Sequence, residues 1–593
     1  MEASGTSQDV MNLECGTSLA ELEYTNELQQ NERKSEEKKD DESSPSAEMS
    51  SEDIIKSIRN SLANDIVTNE VVPMFTSPYE TPEAHKAEGQ SAIPDKERYV
   101  SVPLVYCDQT ASNRSLNSVE NYIHDVCLPL YGNTHTNTSV TGSQSTAFVA
   151  EARQIVAEGC NAKITGKASL DVVLFAGNGA TSVVELLIDC LGIKHYASSE
   201  ETRPVVFVGP YEHHSNLLPW RESGCEIVMI PESAETGNVD IAHLERMLQS
   251  PKYGKDRLRM GAFTAASNVT GKVCDTDKIS ATLHKYGALS FFDYATGAPY
   301  LPMNMNPFPT GNYTGSEIAT DAMFISPHKM IGGVQTPGIL VVKKHLINQT
   351  IAPKRSGGGT VFYVTHKHHR FLSNRIERFE GGTPNIVGIL RAGLTFLVKR
   401  KMANQYLQAV NRMERGSDSI PRSLVDYEFH TTKYVVQRLK KSAPNVIMLG
   451  SAEEMEENNH LPIFSFLIKC GERFLHYNYV CALLNDLFGI QSRGGCQCAG
   501  PYSQRLLGLT TVEDGEEVPS EINERIEHAL LHYKERAELL RPGFTRLSLP
   551  FKGLHHDEVE YVIKALEWIA KNGWVFMCQY RCNHRTGEVS CFL

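Results

Sequence analysis

The sequence predicts an α/β fold whose mainly parallel sheet is covered by helices on both faces. Short apolar runs without polar alternation, at 172–175, 205–208 and 322–325, are typical of strands that are buried on both faces. Helical stretches such as 181–191 and 279–286 separate the runs, and this alternation is the pattern of α/β domains. In such sheets, ligands bind beyond the carboxyl ends of the strands. Functional residues are therefore expected directly after the predicted strands.

Composition divides the 593 residues into a tail and two domains. Residues 1–95 are rich in Ser, Glu, Asp, Asn and Lys and cannot bury a core, so we expect a disordered tail. Residues 96–410 form the predicted large α/β domain, in which 96–130 is a segment that contacts the site. Residues 411–593 form a predicted smaller α+β domain.

Charge and hydropathy exclude several classes of protein. The net charge of −13 disfavours a nucleic-acid partner. The chain has no run of 18 apolar residues, so we expect no membrane span. Its acidic N-terminus lacks a long apolar stretch, which argues against a secretory or transit peptide and favours a cytoplasmic protein. In that compartment the 14 cysteines are expected to be mostly reduced.

A lysine and an aspartate each follow a predicted strand. Lys329 closes the run 326–329, directly after the strand 322–325, and Asp293 ends the apolar run 288–293. A pyridoxal phosphate site needs these two protein groups, because the lysine forms a Schiff base with the cofactor and the carboxylate keeps the pyridine nitrogen protonated. Since a lysine after Ser and His is also common on protein surfaces, the neighbouring motifs decide the interpretation.

Turn and polar residues follow two further predicted strands. Gly177 and Gly179 let the backbone approach an anion closely, and a helix that begins near Thr181 offers free N–H groups and a positive dipole end to a phosphate. An ordinary strand-to-helix turn with Thr181 as N-cap is the alternative. His213 follows the strand 205–208.

These motifs, in this order, resemble the class V aminotransferase group of fold-type I pyridoxal phosphate enzymes, especially cysteine desulfurases and selenocysteine lyases. The resemblance covers about residues 100–570 and is specific for the fold and the cofactor. The segments that carry it are 106–112, 179–181, 212–216, 267–271, 293–296, 326–329 and 378–385.

The resemblance implies how this chain holds the cofactor. It assigns the Schiff base to Lys329, the pyridine nitrogen to Asp293 and stacking on the ring to His213. The other cofactor-binding positions that it implies are Gly179, Ala180, Thr181, Asn268, Ser326, His328, Thr383 and Thr296, the last of which stands where many members have Gln. Thr383 is implied to reach the phosphate of a neighbouring subunit, so we expect a homodimer.

The resemblance also implies how an amino acid substrate is bound. Ala111 lies in the opening segment that reaches the substrate pocket, and Arg546 resembles the arginine that clamps the substrate carboxylate. A planar guanidinium suits a carboxylate bidentately, although a strand arginine in a surface ion pair is the alternative. Lys329 is then placed to move the α-proton, and His213 could protonate a leaving group.

The reaction depends on the segment 492–501, which contains Arg493, Cys496 and Cys498. A cysteine on a Gly-rich loop is expected to be mobile and exposed, as a sulfur-accepting nucleophile must be, and Arg493 should favour its thiolate. In the cysteine desulfurases that this chain resembles, a cysteine five places after such an arginine attacks the substrate sulfur and becomes a persulfide. Cys498 has that spacing and Cys496 does not. Two cysteines of a turn without chemistry remain the alternative.

We therefore predict a cysteine desulfurase-like enzyme that converts cysteine or a related amino acid to alanine, with persulfide formation on Cys498 and a sulfur-acceptor protein as partner. A class V aminotransferase or lyase that does not use Cys498 is the alternative, and a catalytically silent scaffold is a third. We expect no metal site, because Cys496 and Cys498 lack a partner pair and the cysteines near the C-terminus flank a predicted hairpin turn at 585–588.

Overall fold

The structure is a computed structural model that describes residues 56–57, 59–60, 64–66, 71–73, 101–136, 138–166, 169–197, 199–412, 421–457, 460–513, 516–532, 537–550 and 556–592. Its α-helices are Asn117–Tyr122, Val140–Gly159, Gly179–Leu191, Ile193–Tyr196, Leu218–Glu222, Ile241–Gln249, Thr276–Lys285, Arg375–Phe379, Ile386–Arg412, Leu424–Ser442, Ala452–Glu457, Tyr477–Phe488, Gly500–Leu506, Glu521–His532 and His556–Asn572. Among the described residues, no helix is both long and apolar enough to cross a membrane.

A large sheet of seven strands confirms the predicted α/β fold. The strands are β1 Asp171–Ala176, β2 Val205–Val208, β3 Glu226–Met229, β4 Arg259–Thr264, β5 Leu289–Asp293, β6 Ala322–Ile325 and β7 Gly338–Lys343. They lie in the order β1-β7-β6-β5-β4-β2-β3. Strand β7 is antiparallel to both neighbours and the other pairings are parallel. The residues that follow β1, β2, β4, β5 and β6 therefore meet at one edge of the sheet.

Both faces of this sheet are buried, as its unbroken apolar runs predict. Val173 and Phe175 of β1 pack into one core cluster, which includes residues of the helices Val140–Gly159 and Ile386–Arg412. Val172 and Leu174 pack into a second cluster on the opposite face. Successive side chains of a strand point to opposite faces, so a run without polar alternation requires a cover on each face.

A second, antiparallel sheet lies in the C-terminal part of the chain. Its strands are β8 Val446–Met448, β9 Ile463–Cys470, β10 Arg473–Phe474, β11 Arg493–Gly495 and β12 Phe544–Ser548. They lie in the order β8-β9-β12-β11, with β10 on β9. A core cluster of its own joins this sheet to the helices Leu424–Ser442, Tyr477–Phe488 and His556–Asn572.

Shorter strand pairs complete the described part of the chain. Tyr580–Cys582 pairs with Val589–Cys591, which confirms the hairpin predicted around residues 585–588. The other pairs are Val71–Pro73 with Ser101–Pro103, Val105–Tyr106 with Ile490–Gln491, Val361–Val364 with His369–Phe371, and Thr510–Glu513 with Glu516–Pro519. No group of three or more described His, Cys, Asp or Glu residues has the arrangement of a metal site.

Part of the range assigned to the tail contacts the folded body. Arg59 is buried and donates to the backbone oxygen of Pro550, 3.3 Å away. The Asp65 carboxylate accepts the backbone N–H of Ser118 at 3.1 Å, at the start of the helix Asn117–Tyr122. This stretch packs on the body because its polar groups find partners there. The predicted tail otherwise lies mostly outside the described residues.

Candidate active site

Polar residues from the strand ends converge on one cavity of about 200 Å³ at the carboxyl edge of the large sheet. The predicted site residues that line it are Ala111, Gly179, Ala180, Thr181, His213, Asn268, Asp293, Ser326, His328, Lys329, Arg493, Cys498 and Arg546. Thr296 and Thr383 do not line it. The opening segment contributes Ala111 and the antiparallel sheet contributes Arg493, so residues 382 positions apart along the chain line the same cavity as the ends of the parallel strands.

Lys329 lies on the short 3₁₀ turn Pro327–Lys329, directly after β6. Burial lowers the pKa of Lys329 to about 8, while the nearby Asp293 carboxylate opposes this shift. Among the residues that the structure describes, none accepts a hydrogen bond from the Nζ atom of Lys329. The amine can therefore become neutral near physiological pH and is available as a nucleophile.

Asp293 ends β5 and is almost completely buried, with 2% of its surface exposed. Its Oδ1 atom accepts the backbone N–H of Ala295 at 2.8 Å, and no described group donates to its Oδ2 atom. Burial raises the pKa of Asp293. A cationic N–H group in the cavity would satisfy this carboxylate and favour its charged form.

The turn after β1 begins a helix two residues earlier than expected. Gly179 is the first residue of the helix and Asn178 is its N-cap, so the alternative that made Thr181 the N-cap is wrong. The N–H group of Ala180 donates to Ser326 Oγ at 2.8 Å. Gly179 has φ +62°, and a Cβ atom there would lie 2.7 Å from the His328 ring. Only glycine therefore fits this close approach, which leaves the helix N-terminus open to an anion.

His213 follows β2 on a segment that a buried carboxylate holds in place. The preceding Glu212 accepts the Asn216 side-chain amide at 2.6 Å and the Thr264 backbone N–H at 2.8 Å. His213 Nδ1 accepts the Ser215 backbone N–H at 3.0 Å. Burial and the nearby Lys329 lower the pKa of His213 to about 3, so its imidazole is neutral at physiological pH.

Arg546 forms a buried ion pair and not the surface ion pair considered as the alternative from sequence. Its guanidinium donates to Asp108 Oδ1 at 2.6 Å and to the backbone oxygen of Asn268 at 3.1 Å. Arg493 approaches the same Asp108 carboxylate at 3.9 Å. Two arginines facing one aspartate leave a net positive charge, which can attract the carboxylate of a ligand.

Cys498 lies on a tight turn and is half-buried, whereas the sequence predicts a mobile and exposed loop. The Ala499 N–H group donates to the Cys496 carbonyl at 3.2 Å, and Gln497 and Cys498 both have φ +57°. This hydrogen bond and these angles are typical of a type I′ turn, which normally has Asn or Gly at its central positions. Neither central residue here is glycine, and each such conformation costs about 1–2 kcal/mol.

Thr296 and Thr383, the two predicted site residues that do not line the cavity, both lie near it. Thr296 is buried beside Ala295, which does line the cavity. Thr383 lines a separate cavity of about 550 Å³ together with Gly177 and Asn178. Asn178 borders both cavities, so the cavity that Thr383 lines adjoins the candidate active site at the turn that follows β1.

Several residues of the site were given no role from sequence. Asn113 holds the Lys329 turn, because its N–H donates to the His328 carbonyl at 2.8 Å and its side chain to the Lys329 carbonyl at 3.2 Å. His214 contacts the Cys498 turn, and Asp108 pairs with Arg546. Asp108 and His214 lie in the segments 106–112 and 212–216, which carry the family resemblance. Both are polar residues close to residues with an assigned role, and this could have identified them from the sequence.

The residues present fit the pyridoxal phosphate that the resemblance implies. The cavity combines an unpartnered amine on Lys329, an unpartnered carboxylate oxygen on Asp293 and the N-terminus of the helix Gly179–Leu191, whose N-cap residue Asn178 forms no capping hydrogen bond through its side chain. These three groups match an aldehyde, a pyridinium N–H and a phosphate.

Comparison with known proteins agrees with the geometry. The family model for class-V aminotransferases matches residues 105–512. A cysteine desulfurase of Pectobacterium carotovorum is 26% identical over 413 residues, which is 68% of this chain and 86% of that protein. A probable cysteine desulfurase of Pyrococcus abyssi is 26% identical over 326 residues, or 54% of this chain and 73% of that protein.

Solved structures share the fold. The apo structure of a cysteine desulfurase from Thermococcus onnurineus covers 82% of this chain and 99% of its own, with a TM-score of 0.57 and 23% identity. A cysteine desulfurase of Escherichia coli, solved with an S-sulfonic acid, covers 78% of this chain and 93% of its own, with a TM-score of 0.53 and 19% identity.

Proposed function

The chain belongs to the class-V aminotransferase family of pyridoxal phosphate-dependent enzymes, and from this premise we propose that it is a cysteine desulfurase. The proposed reaction converts cysteine to alanine and leaves the sulfur as a persulfide on Cys498. The observation that carries the proposal is that Cys498 lines the same cavity as Lys329 and Asp293. A nucleophilic thiol beside the cofactor lysine is needed for sulfur transfer but not for transamination.

In this proposal, the cavity residues hold the cofactor at its distinct parts. Lys329 would bind its aldehyde, Asp293 its ring nitrogen and His213 its face. The helix N-terminus at Gly179, Ala180 and Thr181 would face its phosphate together with Ser326 and His328, with the Ala180 N–H orienting Ser326 Oγ, and Asn268 and Thr296 would lie near its ring. When bound, pyridoxal phosphate withdraws electrons from the substrate carbon and so weakens the bonds around it.

The remaining chemistry belongs to side chains of this chain. Arg546 and Arg493 orient the substrate carboxylate, beside Ala111. Lys329 Nζ removes the α-proton, which a neutral amine can do because burial lowers the pKa of Lys329 to about 8. The Cys498 thiolate forms a bond to the substrate sulfur while the carbon–sulfur bond breaks. The carbon fragment takes up protons and leaves as alanine. Lys329 Nζ, which has taken the α-proton, can return it, whereas the neutral imidazole of His213 is a weak acid.

An amino acid screen of the purified protein tests this function. With cysteine as substrate and a thiol reductant present, we expect equal amounts of alanine and sulfide. Mass spectrometry after treatment with cysteine should find one additional sulfur atom on Cys498. Keto acid as the sole product would contradict the proposal and favour an aminotransferase, while sulfide accompanied by pyruvate would favour a lyase that does not use Cys498.

We expect a homodimer in solution, because the hairpin formed by Val361–Val364 and His369–Phe371 exposes apolar side chains. Phe362 is 71% exposed and Tyr363 is 66% exposed. Contiguous exposed apolar residues are typical of an interface, and a second copy would also explain the position of Thr383 outside the cavity. Light scattering should give twice the mass of the chain, and Phe362→Asp with Tyr363→Asp should weaken the dimer. A monomer that retains full activity would contradict this expectation.

We also propose that the persulfide sulfur passes from Cys498 to an acceptor protein.

The rate at which the apoprotein captures pyridoxal phosphate should rise with pH and reach half its maximum near pH 8. Only a neutral amine attacks an aldehyde, and burial lowers the pKa of Lys329 to about 8, below the value of roughly 10.4 for an exposed lysine. The neutral form therefore accumulates above pH 8. Rapid mixing with absorbance detection across this range measures the effect, and a half-maximal rate near that of a free lysine would argue against it.

A further inference from the structure

His214 joins the segment of His213 to the turn of Cys498 by two hydrogen bonds. Its backbone N–H donates to the Cys498 carbonyl at 2.7 Å. Its Nε2 atom accepts the backbone N–H of Gly500 at 2.9 Å. These contacts lie on either side of Ala499, and the second connects residues that are 286 positions apart in the chain.

Every carbonyl of the turn 496–499 has a partner. Ser503 Oγ donates to the Cys496 carbonyl at 2.8 Å, and Asn268 donates to the Gln497 carbonyl at 2.8 Å. The Cys498 carbonyl is bonded to His214, and the Ala499 carbonyl accepts the Ser503 N–H at 2.8 Å. A turn with two non-glycine residues at positive φ persists only where its surroundings hold it. These contacts therefore maintain the backbone conformation that places Cys498 at the cavity.

We propose that His214 is a positioning residue, which holds the strained turn so that the Cys498 thiol faces the substrate sulfur. This inference rests on the proposed function, because it assumes that Cys498 accepts sulfur. It gives the second histidine of the pair a role distinct from that of His213, which lines the cavity itself. His214 does not line the cavity and so acts through Cys498.

The state of the imidazole agrees with an accepting role. Burial, and to a lesser extent Arg221, lower the pKa of His214, which favours the neutral imidazole, and the hydrogen bond from the Gly500 N–H assigns Nε2 as its unprotonated nitrogen. The approach is also close, because a Cβ atom at position 500 would lie 3.1 Å from Nε2. Glycine at this position leaves room for the imidazole.

Two substitutions separate positioning from proton transfer. His214→Ala removes the acceptor, whereas His214→Gln retains an amide oxygen that can accept the Gly500 N–H but cannot transfer a proton. We expect His214→Ala to lower kcat roughly ten- to hundredfold with KM for cysteine within twofold, because a misplaced nucleophile costs about this much. His214→Gln should recover most of kcat. His430→Ala, at an exposed position of the helix Leu424–Ser442 that does not line the cavity, is the control and should behave as the wild type.

Two measurements without turnover complete the test. Hydrogen exchange of peptides that span 493–506 should become faster in His214→Ala than in His214→Gln, and alkylation of Cys498 by iodoacetamide should become severalfold faster. The absorbance of bound cofactor should stay unchanged. Equal exchange and alkylation in wild type and His214→Ala would overturn the inference, as would a His214→Gln protein as impaired as His214→Ala. If the exchange and alkylation effects are present but the wild type forms no persulfide, the proposed function fails while the positioning role of His214 toward the turn stands.

Discussion

Replacement of Lys329 by Ala should give a colourless protein that has lost essentially all turnover. The amine is the group that would join the cofactor covalently and also move the α-proton. Loss of the proton transfer by itself is expected to cost roughly 10²–10⁴-fold in rate. The absorbance spectrum after dialysis and the rate of alanine formation measure both effects. Borohydride reduction of the wild type, followed by peptide mapping, should locate the cofactor on Lys329.

Lys285→Ala is a suitable control for this substitution. Lys285 forms an exposed ion pair with Glu245 at 2.9 Å, and such pairs contribute little to stability. The control protein should remain yellow and active. A yellow Lys329→Ala protein, or borohydride labelling at another lysine, would contradict the assignment of Lys329.

Replacement of Cys498 by Ser should leave cofactor binding intact and reduce sulfide release by at least about a hundredfold, because a hydroxyl is a much weaker nucleophile than a thiolate. Binding of cysteine uses Lys329 and Arg546, so the spectral change upon adding cysteine should persist. Sulfide assays and absorbance titrations with cysteine test these two expectations separately.

The neighbouring cysteine offers a matched control. Cys496 lies on the same turn but does not line the cavity, so Cys496→Ser should retain most of the activity. Comparable losses in both variants would indicate that the serine substitutions disturb the turn. Full sulfide release by Cys498→Ser would favour an enzyme of this family that does not use Cys498.

Much of the fold could be predicted because its signals are local. The unbroken apolar run at 322–325 defined β6 with both ends correct, and the run at 205–208 defined β2 equally well. Because ligands bind at the carboxyl ends of parallel strands, Lys329 and Asp293 were predicted to lie at the site. The helix after β1 was predicted to begin two residues too late. Asn178 and Gly179 are residues typical of turns, so the start of the helix has the sequence pattern of a turn.

Contacts between distant residues could not be predicted in this way. Asp108 and Arg546 are 438 positions apart, and their pairing depends on how the opening segment lies across the second sheet. Thr383 was assigned to a neighbouring subunit through the family resemblance, and its position outside the cavity is a property of the fold of one chain. Neither follows from the pattern of residues around each position.

The sequence by itself determined the mainly parallel sheet and most of the residues that meet at its carboxyl edge, because strand periodicity and turn residues are encoded over a few neighbouring positions. Only the tertiary structure decided the conformation and support of the Cys498 turn. Its glycine-rich string predicts a mobile loop, yet Gln497 and Cys498 adopt positive φ angles in a half-buried turn. That conformation is unfavourable locally, and it exists because Asn268 and His214, from distant segments, and Ser503, from the helix that follows the turn, bind its carbonyl groups.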